Sequence, residues 1–215
     1  IVLLGVASVS FVALLYLFKT WVITTIFGQI EPDVLQQTNV YYSYVIASIP
    51  GIALYNGGAA LFRTMERSDI SLKVSLLMNG INVAGNAILI FGFGMDAAGV
   101  AIPTLVSRTV AAVVILALLF NRRLVLHLSD IRNFRLNRRM LRNIFYISIP
   151  SGVENGMFYL GRLVLFSLIS TFGTPSIMAN SVASLLCQFM FLPGAAVSLA
   201  IVTLVGQCIG AGKPD

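Results

Sequence analysis

The sequence predicts an all-α membrane protein, a polytopic bundle of transmembrane helices. Of its 215 residues, 58% are hydrophobic and only 10% are charged, and the mean hydropathy is +0.92. A soluble domain of this length needs more polar surface than this composition supplies. The apolar residues also form long runs, each near the length of about 20 residues that crosses a bilayer. The six predicted spans are residues 1–26, 40–62, 74–95, 97–120, 144–171 and 176–208.

The connections between these spans alternate in charge, which predicts their orientation. Seven of the fourteen Lys and Arg residues lie between the fourth and fifth spans, and the second connection and the chain end hold four more. The first, third and fifth connections hold none. Because basic loops stay on the cytoplasmic side, we expect residues 122–143 to face the cytoplasm and the first span to run outward.

The arginine-rich segment 122–142 is predicted to meet anionic lipid. Apolar residues recur there at helical spacing between the arginines, at Leu124, Leu128, Ile131 and Phe134. This pattern favours a short interfacial helix, and a solvated linker is the alternative. The isoelectric point near 9.7 does not indicate a nucleic-acid partner, because the basic residues lie in the loops of a hydropathic chain.

Proline lies inside four of the six spans, at Pro50, Pro103, Pro150 and Pro193. Because proline kinks a helix and frees a carbonyl, this favours a moving transporter over a static scaffold. Ile1 is not an initiator, so we expect an internal segment of a longer protein. Cys187 and Cys208 are roughly 30 Å apart along one predicted helix, too far for a disulfide.

Glu154 is the residue that most clearly indicates a function. It lies about ten residues into the fifth span, near mid-depth by helix rise. A carboxylate at that depth tends to be protonated or bound to a cation, which makes it a natural site for H⁺ or Na⁺ coupling. The alternative is a structural ion pair. Arg108, at similar depth in the fourth span, is the candidate partner.

Two stripes of polar side chains follow a helical period on otherwise apolar spans. They are Asn79, Asn82 and Asn86 on the third span, and Asn180, Ser184 and Gln188 on the sixth. Such stripes either hold helices together or line a cavity. Gly57 and Gly58 suit close helix contact. No catalytic set, phosphate-binding loop or metal motif is present, so we expect neither an enzyme nor a cofactor, and no metal beyond Na⁺ at Glu154.

Three motifs resemble those of the multidrug and toxin extrusion (MATE) family. They are Leu-Val-Gly-Gln at 204–207 with Gly-Ala-Gly at 210–212, Leu-Ile-Phe-Gly at 89–92 with Ala-Gly-Val-Ala at 98–101, and Pro-Ser-Gly-Val-Glu at 150–154. The resemblance covers essentially the whole chain. It implies helices three to eight of a twelve-helix, two-lobe transporter. The lobes would be residues 1–121 and 144–215, joined by the cytoplasmic connector 122–143.

The resemblance also implies a function and residues that serve it. MATE transporters export organic, often cationic, drugs or toxins in exchange for Na⁺ or H⁺, by rocking two lobes around a central cavity. Glu154 matches the seventh-helix acid implicated in cation binding in many members. Asn82 and Asn86 fall where some members have an Asn and an Asp, so the missing carboxylate at Asn86 moves the coupling role toward Glu154. The cavity candidates are Asn82, Asn86, Arg108, Asn180 and Gln188.

The implied partners are a small-molecule substrate and membrane lipid, with a monomer expected for the full-length protein in the plasma membrane. The nearest alternative is a flippase for lipid-linked oligosaccharide or polysaccharide, which would need more cationic residues in its cavity. Arg108 and Arg162 give that reading some support. A membrane-embedded enzyme and a structural scaffold are the more remote alternatives.

Overall fold

The computed structural model describes residues 2–19, 32–120 and 138–212. Every regular element within these ranges is helical, as predicted. The elements are α1 (Val2–Leu17), α2 (Pro32–Ala47), α3 (Ile49–Thr64), α4 (Ser68–Ala87) with a π-helical turn (Ile88–Gly92), α5 (Ala97–Leu119), α6 (Arg138–Ser170) and α7 (Thr174–Gly210). The predicted second span corresponds to α2 and α3 together, and the described part of each other span corresponds to one helix, with the π-helical turn ending the third.

Four helical segments are long and apolar enough to cross a membrane, namely 36–64, 68–92, 97–119 and 175–210. The described part of the first span, Leu3–Leu17, is a shorter apolar helix. The fifth span corresponds to α6, whose polar residues Glu154, Asn155 and Arg162 lower its hydropathy. The chain is therefore a multi-pass membrane protein in which α6 does not reach the hydropathy of those four segments.

The chain divides into two compact units, Ile1–Ser129 and Asp130–Asp215, called unit 1 and unit 2 below. The core of unit 1 lies where α3, α4 and α5 meet. Its buried members are Tyr55, Ala59, Phe62, Val74, Ala111, Ile115 and Leu119. Where lipid is as apolar as the side chains, such helices are held together by close packing. The contact predicted for Gly58 is confirmed, since a Cβ there would lie 2.9 Å from Ile115 Cγ2.

The second predicted span is interrupted at Ser48, between α2 and α3. The Ser48 amide is shared between the carbonyls of Tyr44 and Val45, at 3.1 Å each. Pro50 then lies in the first turn of α3, where a missing amide proton leaves no bond unmade. Pro103, Pro150 and Pro193 lie inside α5, α6 and α7 instead.

Backbone hydrogen bonds and a side chain from α2 stabilise the turn between α4 and α5. Met95 N donates to Leu89 O at 3.0 Å, and Gly94 has a φ of +62°. Gln37 Nε2 donates to Asp96 Oδ2 (3.0 Å), while its Oε1 accepts from Ala97 N (3.1 Å). Gln37 therefore caps the first turn of α5, because Asp96 makes no side-chain cap of its own.

Unit 2 is a pair of long helices, α6 and α7, joined by a short turn. Gly173 adopts a φ of +90°, a conformation that glycine reaches without steric cost. Cys187 and Cys208 are both free, as their predicted separation requires. The predicted interfacial helix and most of the connector 122–143 lie outside the described residues.

Candidate functional site

Four polar side chains meet between the end of α4 and the first half of α5. Asn82 Nδ2 donates to Thr104 Oγ1 (3.2 Å) and lies 3.5 Å from Ser107 Oγ. Asn86 Nδ2 donates to Asn82 Oδ1 at 3.2 Å. The structure therefore joins the two candidates Asn82 and Asn86 directly, one helical turn apart. Asn79, the third member of the predicted stripe, is exposed.

The hydroxyls of this cluster are anchored to their own helix. Thr104 Oγ1 donates to Val100 O (2.8 Å), and Ser107 Oγ donates to Thr104 O (3.2 Å). With their protons committed to carbonyls, both oxygens can act as acceptors toward Asn82. Ser107 is only 2% exposed. The cluster is thus a fixed and electrically neutral patch of hydrogen-bonding groups.

Asn86 leaves one strong acceptor unused. Its Oδ1 is buried and has no hydrogen-bond partner among the described residues. A buried carbonyl oxygen without a partner costs about 1–3 kcal/mol. It becomes favourable only when a donor or a cation reaches it. The orphaned oxygen marks the end of the cluster at which a ligand could bind.

Close backbone contact brings α4 and α5 within reach of each other. A Cβ on Gly85 would lie 2.7 Å from Pro103 Cβ and 3.0 Å from its Cγ. Only glycine leaves room for the buried proline ring at this point. Since Gly85 is next to Asn86 and Pro103 is next to Thr104, this contact sets the spacing across which Asn82 reaches Thr104.

Arg108 reaches away from this cluster, toward the interruption between α2 and α3. Its Nη1 donates to Ser48 Oγ at 2.7 Å. Ser48 is 0% exposed, and its own hydroxyl donates to Val45 O at 2.6 Å. No ion pair involves Arg108 within the described residues. One α5 segment, Thr104–Arg108, therefore supplies polar groups to α4 on one side and to the junction between α2 and α3 on the other.

The three remaining candidates lie in unit 2. Glu154 is exposed on α6, and no described residue hydrogen-bonds to its carboxylate. Asn180 is half-buried and Gln188 exposed on α7. A short turn makes α6 and α7 antiparallel neighbours, and Glu154 and Gln188 are roughly 16 and 14 residues from their ends of that turn. By helix rise the two side chains lie at similar heights. Their roles, like the pairing of Glu154 with Arg108, stay predictions.

Thr104, Ser107 and Ser48 were not predicted as parts of a site. Thr104, Ser107 and Arg108 do follow a helical period in the sequence, which could have drawn attention to the first two. Ser48 gives no such signal, because its role depends on a contact with a residue 60 positions away. Within residues 2–19, 32–120 and 138–212, no group of three or more His, Cys, Asp or Glu side chains could hold a metal ion.

No protein-family model matches the chain, but several curated proteins do. It is 27% identical over 161 residues to the uncharacterized transporter YisQ of Bacillus subtilis, covering 73% of this chain and 35% of that protein. It is 23% identical over 205 residues to the probable multidrug resistance protein NorM of Thermotoga maritima, covering 90% and 42%. It is 25% identical over 173 residues to the multidrug export protein MepA of Staphylococcus haemolyticus, covering 80% and 38%.

The chain thus spans about two fifths of the length of these relatives. A solved structure, a mutant of the Vibrio cholerae MATE transporter VcmN, matches 98% of the chain and 47% of its own length. The TM-score is 0.82 and the sequence identity 18%. The names of all four proteins describe transporters or drug resistance rather than enzymes, as the sequence predicted.

Proposed function

We propose that the chain belongs to the multidrug and toxin extrusion family, as its motifs predicted, and that the full-length protein is a secondary active transporter that exports drugs or toxins. The observation that carries this proposal is the match of nearly the whole chain to a solved MATE fold. Relatives named as multidrug transporters support it independently. Organic cations are the substrates that we expect.

The proposed coupling residue is Glu154, which would take Na⁺ or H⁺. It is a carboxylate on a membrane helix, and no described residue neutralises it. An acid in this position favours a state in which a proton or metal cation is bound. Exchange of that cation would then accompany each transport cycle. Asn180 and Gln188 would offer amide groups to the substrate from α7.

The cluster around Asn82 and Asn86 supports this division of roles. Its described members are two amides and two hydroxyls, so it holds no charge that could be gained or lost in a cycle. An orphaned Asn86 oxygen can accept a hydrogen bond from a substrate without any proton transfer. We therefore assign substrate contact to this cluster and ion coupling to Glu154.

The proposed location is the plasma membrane, with residues 122–143 on its cytoplasmic side. Anionic lipid would hold segment 122–142 there through its arginines. The full-length protein would act as a monomer on a small-molecule substrate, with no nucleic acid and no organic cofactor.

Reconstituted vesicles test the transport function directly. The full-length protein is placed in vesicles loaded with ethidium, and a Na⁺ or H⁺ gradient is imposed in turn. Dye export should follow one gradient and stop when the matching ionophore collapses it. An export rate that is the same with and without each gradient would contradict coupled antiport. Translocation of a lipid-linked sugar without export of the dye would favour the flippase instead.

A further inference from the structure

A half-buried arginine lies at mid-depth in unit 1 and has no acidic partner among the described residues. Arg108 is about 16 Å from the start of α5 by helix rise, near the middle of this 23-residue helix. Its one described partner is the neutral hydroxyl of Ser48, at 2.7 Å. The described acidic side chains of unit 1 all lie in turns or at helix starts, at Glu66, Asp69 and Asp96. None of these described carboxylates therefore lies at the level of Arg108.

The guanidinium keeps most of its hydrogen-bonding capacity free. It carries five N–H donors, and only Nη1 has a described acceptor. The side chain of Ser48 is held in this rotamer, because the residue is fully buried and its hydroxyl donates to Val45 O at 2.6 Å. The hydroxyl therefore fixes one edge of the guanidinium and leaves the other nitrogens available.

The backbones of α3 and α5 approach each other closely beside Arg108. A Cβ on Gly51 would lie 3.1 Å from both the carbonyl carbon and the oxygen of Arg108. Contact between the two backbones thus sets the distance between α3 and α5 at this level. A cation at this depth is costly, and a bound anion would offset that cost.

We propose that Arg108, held by Ser48, binds an oxyanion within the membrane-embedded part of unit 1. The ligand is a carboxylate or phosphate, carried either by a transported compound or by a lipid headgroup. The planar fork of a guanidinium matches the two oxygens of such a group. This inference rests on the proposed transport function and adds a ligand class to it: compounds or lipids that carry a carboxylate or a phosphate.

A pair of matched dyes tests the proposal by equilibrium binding to the full-length protein in nanodiscs, without an ion gradient. One is a cationic xanthene dye with a free benzoate, and the other is its methyl ester. The variants are Arg108→Gln, which removes the charge, and Arg108→Lys, which keeps it. Lys19→Gln is the control, since Lys19 also donates to a serine, Ser43, at 2.7 Å.

Arg108→Gln should weaken binding of the acid dye by about tenfold, the value expected for one charged hydrogen bond, and leave the ester unchanged. Arg108→Lys should keep the preference for the acid, which maintains the test if the Gln variant folds poorly. Lys19→Gln should change neither dye. If phosphatidylglycerol in the nanodisc displaces the acid dye from the unmodified protein, the site is supported with lipid as the source.

Unchanged acid binding in Arg108→Gln, or an equal loss for both dyes, would overturn the proposal. Because binding is measured without a gradient, this result is independent of whether export is coupled. If the protein exports dye along a gradient but binds the acid dye no better than its ester, the oxyanion site is rejected and the transport function is kept. Acid-selective binding without export would reject the transport function alone.

Discussion

Asn86 donates to Asn82 across 3.2 Å, yet its own Oδ1 is buried with no partner among the described residues. An apolar side chain there would remove the orphaned oxygen, which is stabilising, but it would also remove the described donor to Asn82 Oδ1, so the two effects oppose each other. The amide of Asn86 is explained if a bound ligand donates a hydrogen bond to its Oδ1. A structural role and a ligand-binding role for Asn86 predict different effects of its mutation on stability and on export. A pair of variants can measure these effects.

Asn86→Leu in the full-length protein should change the unfolding free energy by no more than about 1 kcal/mol, because loss of the orphaned oxygen offsets loss of the hydrogen bond to Asn82. It should also reduce dye export, since a substrate contact is lost. Thermal unfolding and vesicle transport measure the two effects. Asn79→Leu, at an exposed position of the same helix, serves as the control and should alter neither. A large loss of stability in Asn86→Leu would show that the amide is structural.

Asn82→Leu should behave differently, because Asn82 joins α4 to Thr104 on α5. Hydrogen bonds between membrane helices contribute about 0.6–2 kcal/mol, so we expect a loss of that size. Chemical denaturation in detergent can measure it against Asn79→Leu. Equal stability of the two variants would mean that the contact between Asn82 and Thr104 contributes nothing.

Gly85→Ala should destabilise unit 1 by about 1–3 kcal/mol, as overpacking does. The new methyl group would meet the ring of Pro103, with the nearest carbon at 2.7 Å. Gly80→Ala is a matched control on the same helix, since nothing lies within 4 Å of its Cβ position. That change should be neutral or stabilising by up to about 1 kcal/mol. A reversed order of the two melting temperatures would contradict the close approach of α4 and α5.

Gln37→Ala should loosen the turn between α4 and α5. The side chain joins Asp96 and the Ala97 amide to α2, so its loss leaves the start of α5 without a cap. Hydrogen exchange of residues 94–98 should become faster. Gln36→Ala, the neighbouring and exposed glutamine, should leave exchange in this segment unchanged. If both variants exchange alike, Gln37 does not act as the cap.

The helices were predictable because hydropathy and span length are local properties of the sequence. The stripe of Asn82 and Asn86 was predictable for the same reason, since both follow a helical period. The interruption at Ser48 was not located, because Pro50 indicated a kink but not which residue would end α2. The contacts of Arg108 with Ser48 and of Gln37 with Ala97 depend on how distant helices pack. No periodicity within one span carries that information.

Ion coupling through Glu154 is the central claim, and gradient-driven dye export by a Glu154→Gln variant tests it most directly. The full-length variant should reach the membrane in normal amounts but lose export driven by either Na⁺ or H⁺. Glu66→Gln, which removes an exposed carboxylate in the turn between α3 and α4, should export at the original rate. Gradient-driven export by Glu154→Gln at the rate of the Glu66→Gln control would contradict the account.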